Sequence, residues 1–239
     1  MTAKTAELPP SSRALRRERR RKLTQDAWNL PNLLTYGRVA MIPIVLWLLE
    51  RGTKRDAIYA ALVYSLAGVT DVLDGFLARK MGIVSVIGKF LDPLADKLMV
   101  MATLVWMVTL GRMPAWAVVL LLSREISITA LRSIASTEGF VIAANDGGKQ
   151  KTALQVVGII FLILGYPYEL RLFGIDLGAV DMVHVGRALV YVSLVMSFTS
   201  AAEYVALFAR AVERKEAKEE AEDRALDEAE ARLARPSGE

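Results

Sequence analysis

The chain has 239 residues, 54% of them apolar, with one histidine and no cysteine. That composition excludes a disulfide framework, thiolate chemistry and any metal site built from several histidines. The formal net charge of +4 sums unlike ends: residues 1–27 hold eight Lys/Arg against three acids, and residues 210–239 hold seven against ten.

The basic run from Arg13 to Lys22 has no interleaved aromatics. It therefore reads as a segment facing anionic lipid on the cytoplasmic side, not as a nucleic-acid surface. After this segment, apolar stretches near the bilayer-crossing length of about 20 residues predict six spans. These are Leu30–Leu49, Ala57–Leu77, Phe90–Leu110, Pro114–Ile134, Thr152–Tyr166 and Met182–Phe208. The fifth is short as bounded and is expected to begin earlier, near Lys149. The first lacks a small-residue cleavage site and reads as a retained helix. Pro31 and Pro114 fit first helical turns, whereas Pro43 predicts a kink within the first span.

An even number of spans puts both termini on one side, which the basic N-terminus assigns to the cytoplasm. Lys80, Lys89, Lys149 and Lys151 then fall at cytoplasmic helix ends. Arg51, Lys54 and Arg55 fall on the far side, against that rule. The expected architecture is thus an all-α integral membrane bundle of six transmembrane helices over residues 28–209. It lies between the basic segment 1–27 and a charged, helical cytoplasmic tail over 210–239. His184 reads as an interfacial residue without a catalytic role.

Four carboxylates fall within 26 residues of this apolar chain: Asp71, Asp74, Asp92 and Asp96. An ionisable group near hydrocarbon is costly, so a group of four marks a functional site. Asp71 and Asp74 share one helical face at i,i+3, as do Asp92 and Asp96 at i,i+4. Two helices presenting such pairs to each other make a cage of hard oxygen ligands suited to Mg²⁺ or Mn²⁺. Gly82 and Gly88 break the helical pattern between the pairs, and Asp92-Pro93 suits either an N-cap followed by a first turn or a bend in a helix that starts earlier.

The pattern D-x2-D-G-x2-A-R-x8-G-x3-D-x3-D is met at every position, by Asp71, Asp74, Gly75, Ala78, Arg79, Gly88, Asp92 and Asp96. It resembles the signature of the CDP-alcohol phosphotransferase family of integral membrane enzymes. Further segments resemble the branch that makes phosphatidylglycerophosphate from glycerol 3-phosphate: Leu30 to Thr35 with Arg38, Phe90 to Lys97, Ser123 to Arg132 and Gly148 to Thr152. The likeness covers roughly residues 28–205.

The resemblance implies attack by an acceptor hydroxyl on the β-phosphorus of CDP-diacylglycerol, with CMP leaving. By the same likeness Asp71, Asp74 and Asp92 hold two Mg²⁺ or Mn²⁺ ions. Asp96 completes the cluster and takes the proton of the acceptor hydroxyl. Gly75, lacking a side chain, lets a nucleotide approach the helix closely, and Arg79 suits bidentate binding of the diphosphate. Ala78, Gly88, Ser85 and Asn32 are candidates for the same donor site. For the phosphate of the acceptor sn-glycerol 3-phosphate, the candidates are Arg124 and Arg132, two turns apart on one helix, with Lys149 and Lys151. Glu125 is expected to position one of these cations. The resemblance also implies a homodimer. The rival readings are a sibling transferase that accepts inositol phosphate or phosphatidylglycerol, and a divalent-cation transporter. Transport would need acids near the midplane and a path to both sides.

Overall fold

The computed structural model describes residues 29–81, 86–140, 147–172 and 175–233. These form six helices and one hairpin: α1 (Leu30–Glu50), α2 (Lys54–Met81), α3 (Val86–Thr109), α4 (Ala115–Thr137), α5 (Gly147–Leu164), β1 (Pro167–Leu172), β2 (Ile175–Asp181) and α6 (Met182–Leu233). Each expected span coincides with one helix. The basic segment 1–27, Gly82 and Ser85 lie outside the described residues.

Three local expectations are corrected. The fold is mostly helical but not all-α, because residues 167–181 pair as an antiparallel hairpin with an irregularity between Glu169 and Arg171. The fifth helix starts at Gly147 and ends at Leu164, leaving Tyr166 outside it. Asp92-Pro93 is not a helix start, since α3 has already run from Val86.

All six helices expose large apolar side chains. Leu62 and Val69 on α2, Val105 on α3, Val119 on α4, Val157 on α5 and Val195 on α6 are each between 43% and 65% exposed, and Trp47 on α1 is 58% exposed. Water does not tolerate such continuous apolar surface, whereas lipid does. By length and hydropathy, Asn32–Glu50 and a stretch within Met182–Asp227 qualify as membrane spans, and Gln150–Leu164 is a shorter apolar helix.

The chain divides into two compact units, Met1–Pro114 with Val156–Arg187, and Ala115–Gln155 with Ala188–Glu239. In the first, α1 starts from an Asn29 cap whose side chain accepts from the Asn32 amide at 3.0 Å, with proline in the first turn. A tight turn through Gly52, whose φ is +66°, leads into α2. There Thr53 and Asp56 form a reciprocal capping box: the Thr53 hydroxyl donates to the Asp56 carboxylate at 2.7 Å and accepts from the Asp56 amide at 3.1 Å. α2 buries Ala57, Ala60, Ala61, Tyr64 and Ala67. This mostly small-residue stripe at helical spacing lets backbones approach closely without bulky side chains between them. Among the described residues, both α2 and α3 pack chiefly on α1 and also meet each other.

The far-side cations that oppose the charge rule all have local partners. Arg51 pairs with Asp56 at 3.2 Å, and Arg55 donates to the Tyr59 hydroxyl at 3.2 Å. Lys54 donates to the Pro167 carbonyl at 3.0 Å and lies 4.1 Å from the Tyr168 ring centroid. The hairpin is thereby tied to the α1–α2 turn, where the Tyr166 hydroxyl also donates to the Gly52 carbonyl. Arg112 caps α5 by donating to the Leu162 and Ile163 carbonyls, both at 2.8 Å. Arg187 in turn holds the Arg112 and Gly111 carbonyls, both at 2.6 Å. Asp181 caps α6, accepting from the Val183 amide at 2.8 Å. That bond and the His184 ring hold its carboxyl below the usual range.

In the second unit, α4 buries Ala117, Val118, Leu121, Arg124, Ile128 and Ala135 along one face. Trp116 stacks on Tyr191 at 5.8 Å, Arg124 bonds the Ser197 carbonyl at 3.0 Å, and Arg132 lies 5.7 Å from the Tyr204 ring centroid. The two numberings rise together, so α4 and α6 run parallel. Beyond them Phe140 meets Phe208 edge-on, and Lys215 reaches Glu138 at 2.7 Å, holding that carboxyl low. α6 continues unbroken across position 210 to Leu233.

Gly165 and Gly111 separate two costs of adding a side chain. Both have positive φ, but only a Cβ at Gly165 collides with the Arg112 guanidinium. Gly111→Ala is expected to cost the left-handed backbone term alone, roughly 1–2 kcal/mol. Gly165→Ala adds overpacking of about 1–3 kcal/mol. Thermal unfolding in detergent should therefore rank Gly165→Ala clearly below Gly111→Ala.

Candidate active site

Asp71, Asp74, Gly75, Ala78 and Arg79 all lie on α2, and Gly88, Asp92 and Asp96 on α3. At about 100° per residue, the first four fall within roughly a 100° arc of α2, and Gly88, Asp92 and Asp96 follow one another along a single face of α3. For all of these except Asp96 the structure gives helix and register only, and their side chains fall outside the described set.

Asp96 itself is exposed, between the buried Ala95 and Met99. On α2, which meets α3, Tyr64 is 4% exposed. Asp71 lies two helical turns beyond Tyr64. Asn32 is 2% exposed on α1, the helix against which both aspartate helices pack. Its backbone amide is held by the Asn29 cap.

A resident divalent ion would find hard oxygen donors here and no sulfur or histidine cluster, the donor chemistry that Mg²⁺ and Mn²⁺ prefer.

Of the predicted acceptor cations, three come together within the second unit. Arg124 is 7% exposed and bonds Glu125 at 2.9 Å as well as the Ser197 carbonyl. Glu125 does position a cation, and that cation is Arg124. Arg132, two turns on, is exposed beside Tyr204. Lys151, half-buried at the start of α5, lies within the field of Arg124, Glu125 and Arg132. Lys149 is on α5, but its side chain is outside the described set. The cluster carries three positive charges against one negative, an excess suited to a phosphate dianion.

Sequence reasoning gave no role to Tyr64, although it stands seven residues before Asp71 on the same helix. Tyr204 and Ser197 were also missed, because nothing in a sequence specifies which α6 residues face α4.

The family model described as CDP-alcohol phosphatidyltransferase matches residues 28–199. A Bacillus subtilis protein named CDP-diacylglycerol–glycerol-3-phosphate 3-phosphatidyltransferase is 40% identical over 159 residues, covering 61% of this chain and 82% of that protein. One of the same name from Rickettsia bellii is 34% identical over 137 residues, covering 57% and 76%. A CMP-forming cardiolipin synthase of Streptomyces coelicolor is 35% identical over 136 residues, covering 55% and 63%.

Arg124 and Arg132 differ in what their removal leaves behind. Arg124→Leu strands the Ser197 carbonyl and the Glu125 carboxylate, an expected loss of about 1–3 kcal/mol. Arg132→Leu removes only an exposed cation–π contact, about 0.5–1 kcal/mol. Thermal unfolding of the two variants in the same detergent checks the order.

Proposed function

We infer the activity from one premise: this chain belongs to the CDP-alcohol phosphatidyltransferase family. It transfers the phosphatidyl group of CDP-diacylglycerol to sn-glycerol 3-phosphate, giving phosphatidylglycerophosphate and CMP. The observation that carries this reading is the complete eight-position signature, set on two neighbouring helices. The names of the Bacillus and Rickettsia relatives support the acceptor.

In this reading Asp71, Asp74 and Asp92 hold the divalent metal on which the family generally depends. Two Mg²⁺ or Mn²⁺ ions are proposed, with Asp96 completing the cluster. Bound ions neutralise the diphosphate and the charge that develops on departing CMP. Asp96 takes the proton as the acceptor's primary hydroxyl oxygen bonds to the β-phosphorus. The bond from that phosphorus to the bridging oxygen breaks, and its electron pair leaves with CMP. Gly75, Ala78 and Gly88 leave room for the nucleotide, while Arg79, Asn32 and Ser85 bind the cytidine diphosphate end. Arg124, Arg132, Lys149 and Lys151 bind the acceptor's phosphate.

Phosphatidylglycerol as acceptor has the cardiolipin synthase relatives behind it. A cluster with two net positive charges suits the dianion of a phosphomonoester better than the single charge of a diester. The rest of the proposal is a six-span protein of the cytoplasmic membrane with both termini inside. Residues 1–27, 28–209 and 210–239 serve as basic segment, catalytic domain and tail, and two copies form a homodimer.

Purified full-length protein with CDP-diacylglycerol, Mg²⁺ and glycerol 3-phosphate is expected to release CMP, and Asp96→Asn or chelation to abolish release. Arg132→Gln and Lys151→Gln should raise KM for glycerol 3-phosphate roughly ten- to hundredfold, the loss of one hydrogen bond to a charged group. KM for CDP-diacylglycerol should stay near the parent value. Release with phosphatidylglycerol but not with glycerol 3-phosphate would overturn the acceptor.

A further inference from the structure

Between Asn32 and Leu49, α1 carries one charged side chain, Arg38. It is 1% exposed and stands first by volume among the fully buried side chains of the described residues. Asn32 and Thr35 precede it at three-residue spacing and are 2% and 0% exposed. A polar stripe thus runs along the buried face of the helix on which α2 and α3 pack.

A guanidinium does not give up its proton, and burying it in a low-dielectric bundle calls for nearby negative charge. α1, α2 and α3 hold six carboxylates: Glu50, Asp56, Asp71, Asp74, Asp92 and Asp96. Glu50 and Asp56 flank the α1–α2 turn, where Asp56 is bound to Thr53 and Arg51. The other four are the signature aspartates.

Height along the helices points the same way. Counted from the α1–α2 turn, Arg38 stands about 18 Å along α1 and Tyr64 about 15 Å along α2. Asp71 follows Tyr64 by two turns on α2, and Asp96 stands about as far into α3 as Asp71 stands before the end of α2, so the cluster begins within about two turns of Arg38. Helix side chains lean towards their own N-terminus. For α1 that is the end towards which α2 carries Asp71 and Asp74 and from which α3 brings Asp92.

We propose that Arg38 is the buried counter-charge of the aspartate cluster, a positioning residue that holds the carboxylates, Asp96 first, and competes with a divalent ion for their charge. The proposal rests on the reading of those aspartates as the metal site. Four carboxylates gathered without a cation repel one another, so a fixed arginine keeps the site formed while the ion is absent. The same arginine keeps the ion exchangeable, because part of the negative charge is already compensated.

The test uses full-length protein in detergent and Mn²⁺ as the only ligand. Arg38→Met keeps the volume and removes the charge. It is expected to lower the unfolding temperature without Mn²⁺, to regain most of that loss at saturating Mn²⁺, and to bind Mn²⁺ about tenfold more tightly. Arg38→Lys should stay within about threefold of the parent affinity. An equal loss with and without Mn²⁺, at unchanged affinity, would make Arg38 a packing residue and overturn the proposal. Should Arg38→Met fail to fold, the Arg38→Met/Asp96→Asn double variant decides. Recovery beyond additivity supports the pairing, and no recovery overturns it. If the parent protein binds no Mn²⁺, the metal reading fails instead, and the same double-variant comparison without metal still tests Arg38 against Asp96.

Discussion

In a helix bundle whose outer surface is apolar, every buried or half-buried charge has to be matched from within, because the surroundings supply neither water nor counter-ions. Much of this structure follows from that requirement. Arg124 is held by the Ser197 carbonyl and by Glu125. Arg112 and Arg187 are used up on backbone carbonyls, and those bonds close the ends of helices that would otherwise leave acceptors bare. Lys54 joins two connections by lying over an aromatic ring. Arginine and lysine here act as fasteners as well as topological signals.

The same requirement explains the division of labour among the first three helices. α2 carries the carboxylates towards one end and a run of alanines towards the other. The alanine face sets a short distance to its neighbours, while the carboxylates demand room for what they hold. α1 reconciles the two by supplying apolar contacts, Val45 and Leu49, near the turn and a polar stripe further along.

What was legible in the sequence was whatever depends on spacing along one chain segment. Helix positions came from apolar runs, and the site from aspartates at i,i+3 and i,i+4 with their glycines and arginine. The family model matches the chain over residues 28–199. The hairpin at 167–181 was overlooked because its alternation is short and interrupted, and a connection between two spans invites no search for strands. Lys54 looked anomalous because its partners, Tyr168 and the Pro167 carbonyl, lie more than a hundred residues away in sequence. Arg38 was visible as a letter, but its near-complete burial was not. The α4–α6 pairing, with its Arg124 and Tyr204 contacts, depends on which faces meet, and periodicity alone does not specify a partner.

The unbroken passage of α6 across position 210 has an electrostatic consequence. From Arg210 to Leu233 the helix adds about 36 Å of length, stiffened by pairs such as Lys218 with Glu222 and Arg224 with Glu220. This acid-rich stretch would be repelled by a bilayer rich in anionic lipid, the kind of product this chemistry generates. A straight continuation carries most of it several screening lengths from the surface, since the field decays over about 8 Å at physiological salt. Rigidity thus removes the tail from a repulsion that a flexible segment of the same composition would repeatedly encounter.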